Sequence, residues 1–279
     1  MVSLELANRT LRTERPAFVM GIVNATPDSF WAGSRGTADR ALHLIDDGAD
    51  IIDIGGESTR PGSSYVTEDE EIRRIVPVVE KIRRVSDIPV SVDTRKLSVM
   101  KAAFEAGADM LNDVSALEDD ENLGMFAAQM KIPVVLMHKR GNPATMQKNT
   151  AYEDVFAEVN AYLESRVSYA LQCGISPERI ILDPGIGFGK DMASNAMLVR
   201  KCGNLCGGKY QVLMALSRKS FIGDVTGRDV NERLAGTLAA NLLAVLHGAG
   251  IVRVHDVKET VDTMAVLAQI GYNTDYGSI

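Results

Sequence analysis

Apolar residues fall in short runs, each closed by a polar residue and followed, after a loop, by a stretch with apolar positions at helical spacing. Phe18-Val19-Met20-Gly21-Ile22-Val23 ends at Asn24, and a helix follows that stops at Gly48. Ile51-Ile52-Asp53-Ile54 passes into a polar loop, and an amphipathic helix runs over Glu68 to Val85. Pro89-Val90-Ser91-Val92 ends at Asp93, with a helix to Ala106, and Met110-Leu111 ends at Asn112-Asp113, with a helix closing near Met130. Pro133-Val134-Val135-Leu136 ends at Met137-His138, and after a longer loop a helix spans Tyr152 to Gln172. Ile180-Ile181-Leu182 ends at Asp183 before a helix over Asn195 to Cys206. Val212 to Leu216 ends at Ser217-Arg218-Lys219-Ser220 before one over Asn231 to His247. Ile251-Val252-Arg253-Val254 ends at His255-Asp256 before the last helix, Val261 to Ile270.

Strand runs apolar on both faces and separated by helices predict a parallel sheet covered all round. Eight such pairs in roughly 250 residues suit a closed (β/α)8 TIM barrel of class α/β, with an open doubly wound sheet as the competing arrangement. The triplet Gly-Ala-Asp at 48–50 and 107–109, echoed by Gly248-Ala249-Gly250, ends a helix with a residue free to turn left-handed. That punctuation predicts a single domain over residues 1–279.

Composition narrows the chemistry. A formal charge of -7 from 30 basic and 37 acidic residues, with no basic block, argues against a nucleic-acid partner. Glu5, Arg9 and Arg12 leave no apolar signal core, and no apolar stretch reaches membrane-spanning length, so neither signal peptide nor membrane partner is expected. Cys173, Cys202 and Cys206 lack CxxC spacing and are read as free thiols, which fits a cytoplasmic chain.

In a barrel the loops that follow the strands share one face. Asn24, Glu57 to Arg60, Asp93, Asn112, His138, Asp183, Lys219, Arg253 and His255 would therefore converge, and so many polar strand ends call for a polar ligand. Asp183-Pro184-Gly185-Ile186-Gly187-Phe188-Gly189-Lys190 alternates its glycines like a phosphate-cradling loop, but its spacing matches neither G-x-G-x-x-G nor the P-loop.

Six segments together resemble dihydropteroate synthases: residues 21–30 (GIVNATPDSF), 53–62 (DIGGESTRPG), 91–94 (SVDT), 183–190 (DPGIGFGK), 217–221 (SRKSF) and 253–256 (RVHD). The resemblance implies a transferase of folate biosynthesis that condenses 6-hydroxymethyl-7,8-dihydropterin diphosphate with p-aminobenzoate, giving 7,8-dihydropteroate and diphosphate. It implies a dissociative, SN1-like mechanism, Mg2+ as cofactor, a site of the kind sulfonamides target as mimics of p-aminobenzoate, and a homodimer, for which the seventh and eighth helices are the candidate faces. By position, Asp93, Asn112, Met137, Asp183, Phe188 and Lys219 resemble the pterin-binding residues, with Met137 and Phe188 as apolar walls. Asn24, Arg60, Arg253 and His255 resemble the diphosphate site, with Asn24 also the metal ligand. Thr59, Arg60, Pro61, Phe188, Lys219 and Ser220 resemble the p-aminobenzoate pocket. Asp93, Lys219, Arg60 and Asn24 are then the catalytic set. The glycines of 185–189 would shape a turn, and Lys219 beside Asp183 would keep both charged.

The competing readings are local. Arg253 could pair with Asp256, His255 could bond backbone at a helix start, and Met137 and Phe188 could be core; His43 and His247 read as structural. After Phe30 this chain has Trp31-Ala32-Gly33-Ser34 where such enzymes usually have a Ser-Asp-Gly type turn, so the first loop lacks that acidic residue. Trp31 either packs over the second substrate, the reading favoured here, or is an exposed loop aromatic. A pterin-dependent methyltransferase of the same superfamily would share Asp93, Asn112 and Asp183 but should lack residues 217–220 and the Asn24 loop. A pterin-binding protein without turnover is the non-enzymatic alternative.

Overall fold

A computed structural model describes residues 2–26, 34–58, 65–141 and 150–270. Strands β1 (Val2–Glu5) and β2 (Thr10–Thr13) form an antiparallel hairpin. Eight parallel strands follow: β3 (Phe18–Asn24), β4 (Ile51–Gly55), β5 (Val90–Asp93), β6 (Met110–Asp113), β7 (Val134–Met137), β8 (Ile180–Asp183), β9 (Gln211–Met214) and β10 (Ile251–Val254). They pair in chain order, and β10 closes on β3. The barrel expected from the run of apolar segments is therefore the fold, and the open sheet is excluded.

The helices are α1 (Ser34–Asp46), α2 (Glu68–Arg83), α3 (Leu97–Glu105), α4 (Leu123–Met130), α5 (Val155–Gln172), α6 (Met192–Lys201), α7 (Ser220–Thr226), α8 (Leu234–Leu246) and α9 (Val257–Ile270). α2 shows why they form. Ile75, Val78, Val79 and Ile82 recur at helical spacing and are buried, while four acids in the first turn and Lys81 and Arg83 in the last match the helix dipole. Asp154 and Asp191 cap α5 and α6 by accepting the amides of Ala157 and Ser194.

The Gly-Ala-Asp triplets work as expected and do more. Gly48 and Gly107 take positive φ, 92° and 111°. The next-but-one carboxylates then accept a strand-starting amide, Asp50 from Val19 and Asp109 from Val90, and each pairs with an arginine, Arg15 and Arg83.

Three local expectations differ. The helix read through Cys206 stops at Lys201 and gives way to a 3-10 segment, Cys202–Gly208, in which Cys206 and Gly207 are left-handed. α7 lies in what reads as loop, because it is too short for periodicity to register. The polar-looking N-terminus is a hairpin whose Leu4 and Leu6 are buried against Phe18, Met20, Ile51 and Ile251, flooring the barrel. Leu4→Ala is expected to cost about 2–4 kcal/mol in urea unfolding while leaving the polar residues at the opposite mouth in place. All three cysteines are free. Among the described residues no helix is long and apolar enough to cross a membrane.

Candidate active site

Strand residues alternate between the barrel interior and the helix layer. Outward positions, such as Val19, Ile52, Ile54, Val92, Leu111, Leu136, Leu182 and Val252, join one large apolar core with the helices. Inward positions split by height. Near the hairpin they are apolar: Phe18, Met20, Ile51, Met110, Val135, Ile181, Leu213 and Ile251. One pleat higher they are Asp53, Ser91, Asn112, Asp183 and Arg253, and above Ser91 comes Asp93. A polar layer thus sits directly on an apolar plug, at the ends of the strands.

Arg253 organises one half of this layer. Its Nε donates to Asp53 Oδ2 at 2.6 Å and its Nη2 to Asp93 Oδ2 at 2.9 Å. Asn112 Nδ2 donates to the same Asp53 oxygen at 3.1 Å, which leaves the amide oxygen of Asn112 available as an acceptor. The alternative pairing of Arg253 with Asp256 does not occur: Asp256 takes both arms of Arg218, at 2.6 and 2.9 Å. Nη1 of Arg253 makes no hydrogen bond to any described residue. Burial, reinforced by repulsion from Asp53, pushes Asp93 up to about 7 against the pull of Arg253.

Asp183 and the loop after it form the other half. Asp183 is 3% exposed, and its Oδ1 accepts the Gly185 amide at 2.7 Å. Lys219 does not pair with it directly. Its ammonium donates to the Ile186 carbonyl and stands 4.9 Å from the centre of the Phe188 ring. Burial raises Asp183 and lowers Lys219 to about 8, each against the attraction of the other. Met137 is buried beside Asp183 in the sheet, and Phe188 is half-buried. Ser217 joins β9 to β10 by donating or accepting at His255 Nδ1, 3.0 Å away, and it accepts the His255 amide at 3.1 Å.

Asn24 is exposed at the tip of β3, opposite Gly55. Ser220 is exposed at the first position of α7. The structure therefore brings Asn24, Asp93, Asn112, Met137, Asp183, Phe188, Lys219, Ser220, Arg253 and His255 to one end of the barrel. Thr59, Arg60, Pro61 and Trp31 lie outside the described residues. Glu57, at the strand end before them, is held by Arg95 at 3.0 Å and Lys96 at 2.6 Å.

Sequence reasoning overlooked Asp53 as a site residue. It is fully buried, with Oδ1 lacking a partner, and so is the Ser91 Oγ beside it in the sheet. A charge inside the run Ile51-Ile52-Asp53-Ile54, in phase with inward Ile51, is the signal that could have found it. His138, too, is more than a lining residue. It is 6% exposed and held at about 3 by burial, with Lys190 and Arg140 adding to the effect. The unfolded chain binds a proton between about 3 and 6.5 that folded His138 refuses, so stability falls as pH drops through that window. Between pH 6.5 and about 5 the native chain should lose roughly 2 kcal/mol more than His138→Asn, by urea unfolding at each pH.

The matching family model, described as pterin binding enzyme, covers residues 20–255. Over 254 residues the chain is 44% identical to the dihydropteroate synthase of Escherichia coli strain K12, spanning 89% of this chain and 90% of that one. The Haemophilus influenzae enzyme of the same name is 45% identical over 253 residues, 89% of this chain and 92% of the relative. The structure of Xanthomonas albilineans dihydropteroate synthase with 4-aminobenzoic acid matches with a TM-score of 0.89 at 43% identity, over 96% of this chain and 97% of that one. The chain belongs to the dihydropteroate synthase family of pterin-binding enzymes.

Proposed function

We infer that this chain condenses 6-hydroxymethyl-7,8-dihydropterin diphosphate with p-aminobenzoate to 7,8-dihydropteroate and diphosphate. The observation that carries the reading is the polar layer above the barrel plug, where a buried carboxylate, Asp183, sits in the field of Lys219 with acceptor and donor groups of Asn112 alongside. That set complements a pterin, whose aminopyrimidine edge offers N–H groups to a carboxylate and whose ring oxygen and nitrogen accept from an ammonium. Met137 and Phe188 supply apolar walls for the rings.

As the methylene–diphosphate bond breaks, positive charge grows on the pterin methylene and negative charge on the leaving group. Asp93 stabilises the first electrostatically. The free Nη1 of Arg253, together with His255 and Arg60, receives the second, and the carboxylates behind Arg253 keep its fork fixed. Asn24 presents a hard oxygen at the mouth, which fits Mg2+, an ion that takes few protein ligands and several phosphate oxygens; when bound it neutralises charge on the diphosphate. Among the described residues there is no group of three or more His, Cys, Asp or Glu that could hold a metal ion. p-Aminobenzoate then adds through its amine from the side of Phe188, Lys219 and Ser220, with Thr59, Arg60 and Pro61 completing the pocket. An aniline is already nucleophilic, so no strong base is needed: once the C–N bond has formed, the acidic anilinium nitrogen sheds its proton to water or to the departing diphosphate.

The methyltransferase alternative is not favoured, because Asn24 and residues 217–220 stand at the mouth where the synthase reading needs them. A homodimer through α8 and α9 is supported by exposed Leu243 and Val266, 51% and 57% exposed. Incubation of the purified protein with both substrates and Mg2+ should yield dihydropteroate, detected by mass. Tight pterin binding without product would leave only the binding-protein reading.

A further inference from the structure

Lys190 closes the motif that begins at Asp183, yet the reaction as described makes no use of it. The residue is 3% exposed. Its ammonium donates to the carbonyl oxygens of Gly185 at 2.9 Å and Phe188 at 3.0 Å and lies 2.9 Å from His138 Nδ1. An ammonium has three N–H donors, and each meets one acceptor. Burial pushes Lys190 down to about 7, with Lys219 and Arg140 adding to the effect, and Asp183 opposes this only through its field, so the ammonium form is the one held below that pH.

The alternating glycines find their reason here. Gly185, Gly187 and Gly189 have φ of 67°, 82° and 67°, and this winding turns the Gly185 and Phe188 carbonyls onto the cation. The polarity is opposite to that of a phosphate cradle, where successive N–H groups face inward. Asn195 braces the loop by accepting the Gly187 amide and donating to the Lys190 carbonyl, and Tyr152 donates to the Gly189 carbonyl. Through His138, Lys190 also joins this loop to the end of β7.

We propose that Lys190 is a positioning residue for the condensation: seated on Gly185 O, Phe188 O and His138 Nδ1, its ammonium holds the Phe188 ring and the Asp183 carboxylate in the geometry the two substrates need. The proposal rests on the synthase reading. Phe188 has its backbone carbonyl on the cation and its ring toward Lys219, so removing the cation frees the wall of the p-aminobenzoate pocket. The charges facing Asp183 are Lys219 after β9, Arg253 on β10 and Lys190 in its own loop, with the Gly185 N–H. Loss of one cation makes Asp183 harder to ionise.

The test compares Lys190→Met with the native chain in steady-state kinetics. The KM for p-aminobenzoate is expected to rise about 10-fold with kcat changing less, since a positioned wall acts on binding first. The acidic limb of kcat/KM for the pterin diphosphate should move roughly 0.5 unit to higher pH. A merely structural lysine would lower thermal stability and move neither. An unshifted limb and an unchanged KM, whatever the melting temperature, overturn the proposal. Should Lys190→Met fail to fold, His138→Leu decides: it keeps the cation and removes one acceptor, so a KM raised about 3-fold supports the proposal and an unchanged one overturns it. Absence of dihydropteroate from the native chain would remove the synthase reading and the proposal together, whereas native turnover with unshifted variants removes the proposal alone.

Discussion

Asp183→Asn is expected to lower pterin affinity, measured by calorimetry with the pterin diphosphate, by on the order of 10²–10³-fold, because losing charge-assisted hydrogen bonds and leaving buried donors unpaired costs about 1–3 kcal/mol for each group. The substitution is chosen for what it preserves. An asparagine oxygen can still accept the Gly185 amide, so the loop keeps its anchor. Its NH2 group, however, faces the N–H edge of the pterin with another donor, and the charge that Lys219 and Arg253 stabilise is gone. Asp183→Ala removes the anchor as well and should bind at least as weakly. The reason is not a newly unpaired Lys219, since that ammonium already rests on the Ile186 carbonyl. Native affinity in Asp183→Asn would remove Asp183 from the pterin site.

Gly185→Ala is expected to have the next largest effect. A Cβ there would stand 1.8 Å from the His138 carbonyl oxygen, and φ is +67°. Left-handed strain alone costs about 1–2 kcal/mol, but backbone cannot yield to backbone at that distance, so the loop must leave β7. Leaving would carry away the carbonyl that Lys190 uses and the amide that Asp183 uses. Activity should fall at least about 100-fold, with destabilisation above about 4 kcal/mol in urea unfolding. Gly187→Ala is the control. Its φ is similarly positive, but the nearest atom to a Cβ is Lys219 Cδ at 3.4 Å, an ordinary contact, so only the strain remains. Equal effects at the two positions would contradict this account.

Both substitutions bear on the same eight residues, and those residues mark how far the sequence could be read. The run Ile180-Ile181-Leu182 before Asp183 identifies a strand end, and repetition of that pattern eight times identifies a barrel with one polar mouth. Glycine alternation identifies a tightly wound loop. Neither says what the loop is wound around. A phosphate and a lysine ammonium call for the same left-handed positions, and the choice between them depends on whether N–H or C=O groups turn inward. In this chain the centre is occupied by Lys190 itself.

What the sequence by itself determined is whatever depends on period and punctuation: eight strands, the helices long enough to show an apolar face, the glycine turns between them, and the end of the barrel at which the polar residues collect. Those features follow from neighbours a few positions apart, so a linear reading reaches them. Only the tertiary structure decided the pairings. Asp53 and Arg253 are 200 positions apart, yet they share one hydrogen bond in the polar layer; Leu4 and Leu6 look like strays in a polar terminus until the barrel gives them a floor to fill. Arg218 rather than Arg253 takes Asp256, and Lys190 takes His138. The physical reason is common to all of them. Which charge meets which, and which apolar side chain is covered, is set by the inward alternation of strands closed into a ring, and the closing of that ring is a contact between the first barrel strand and the last.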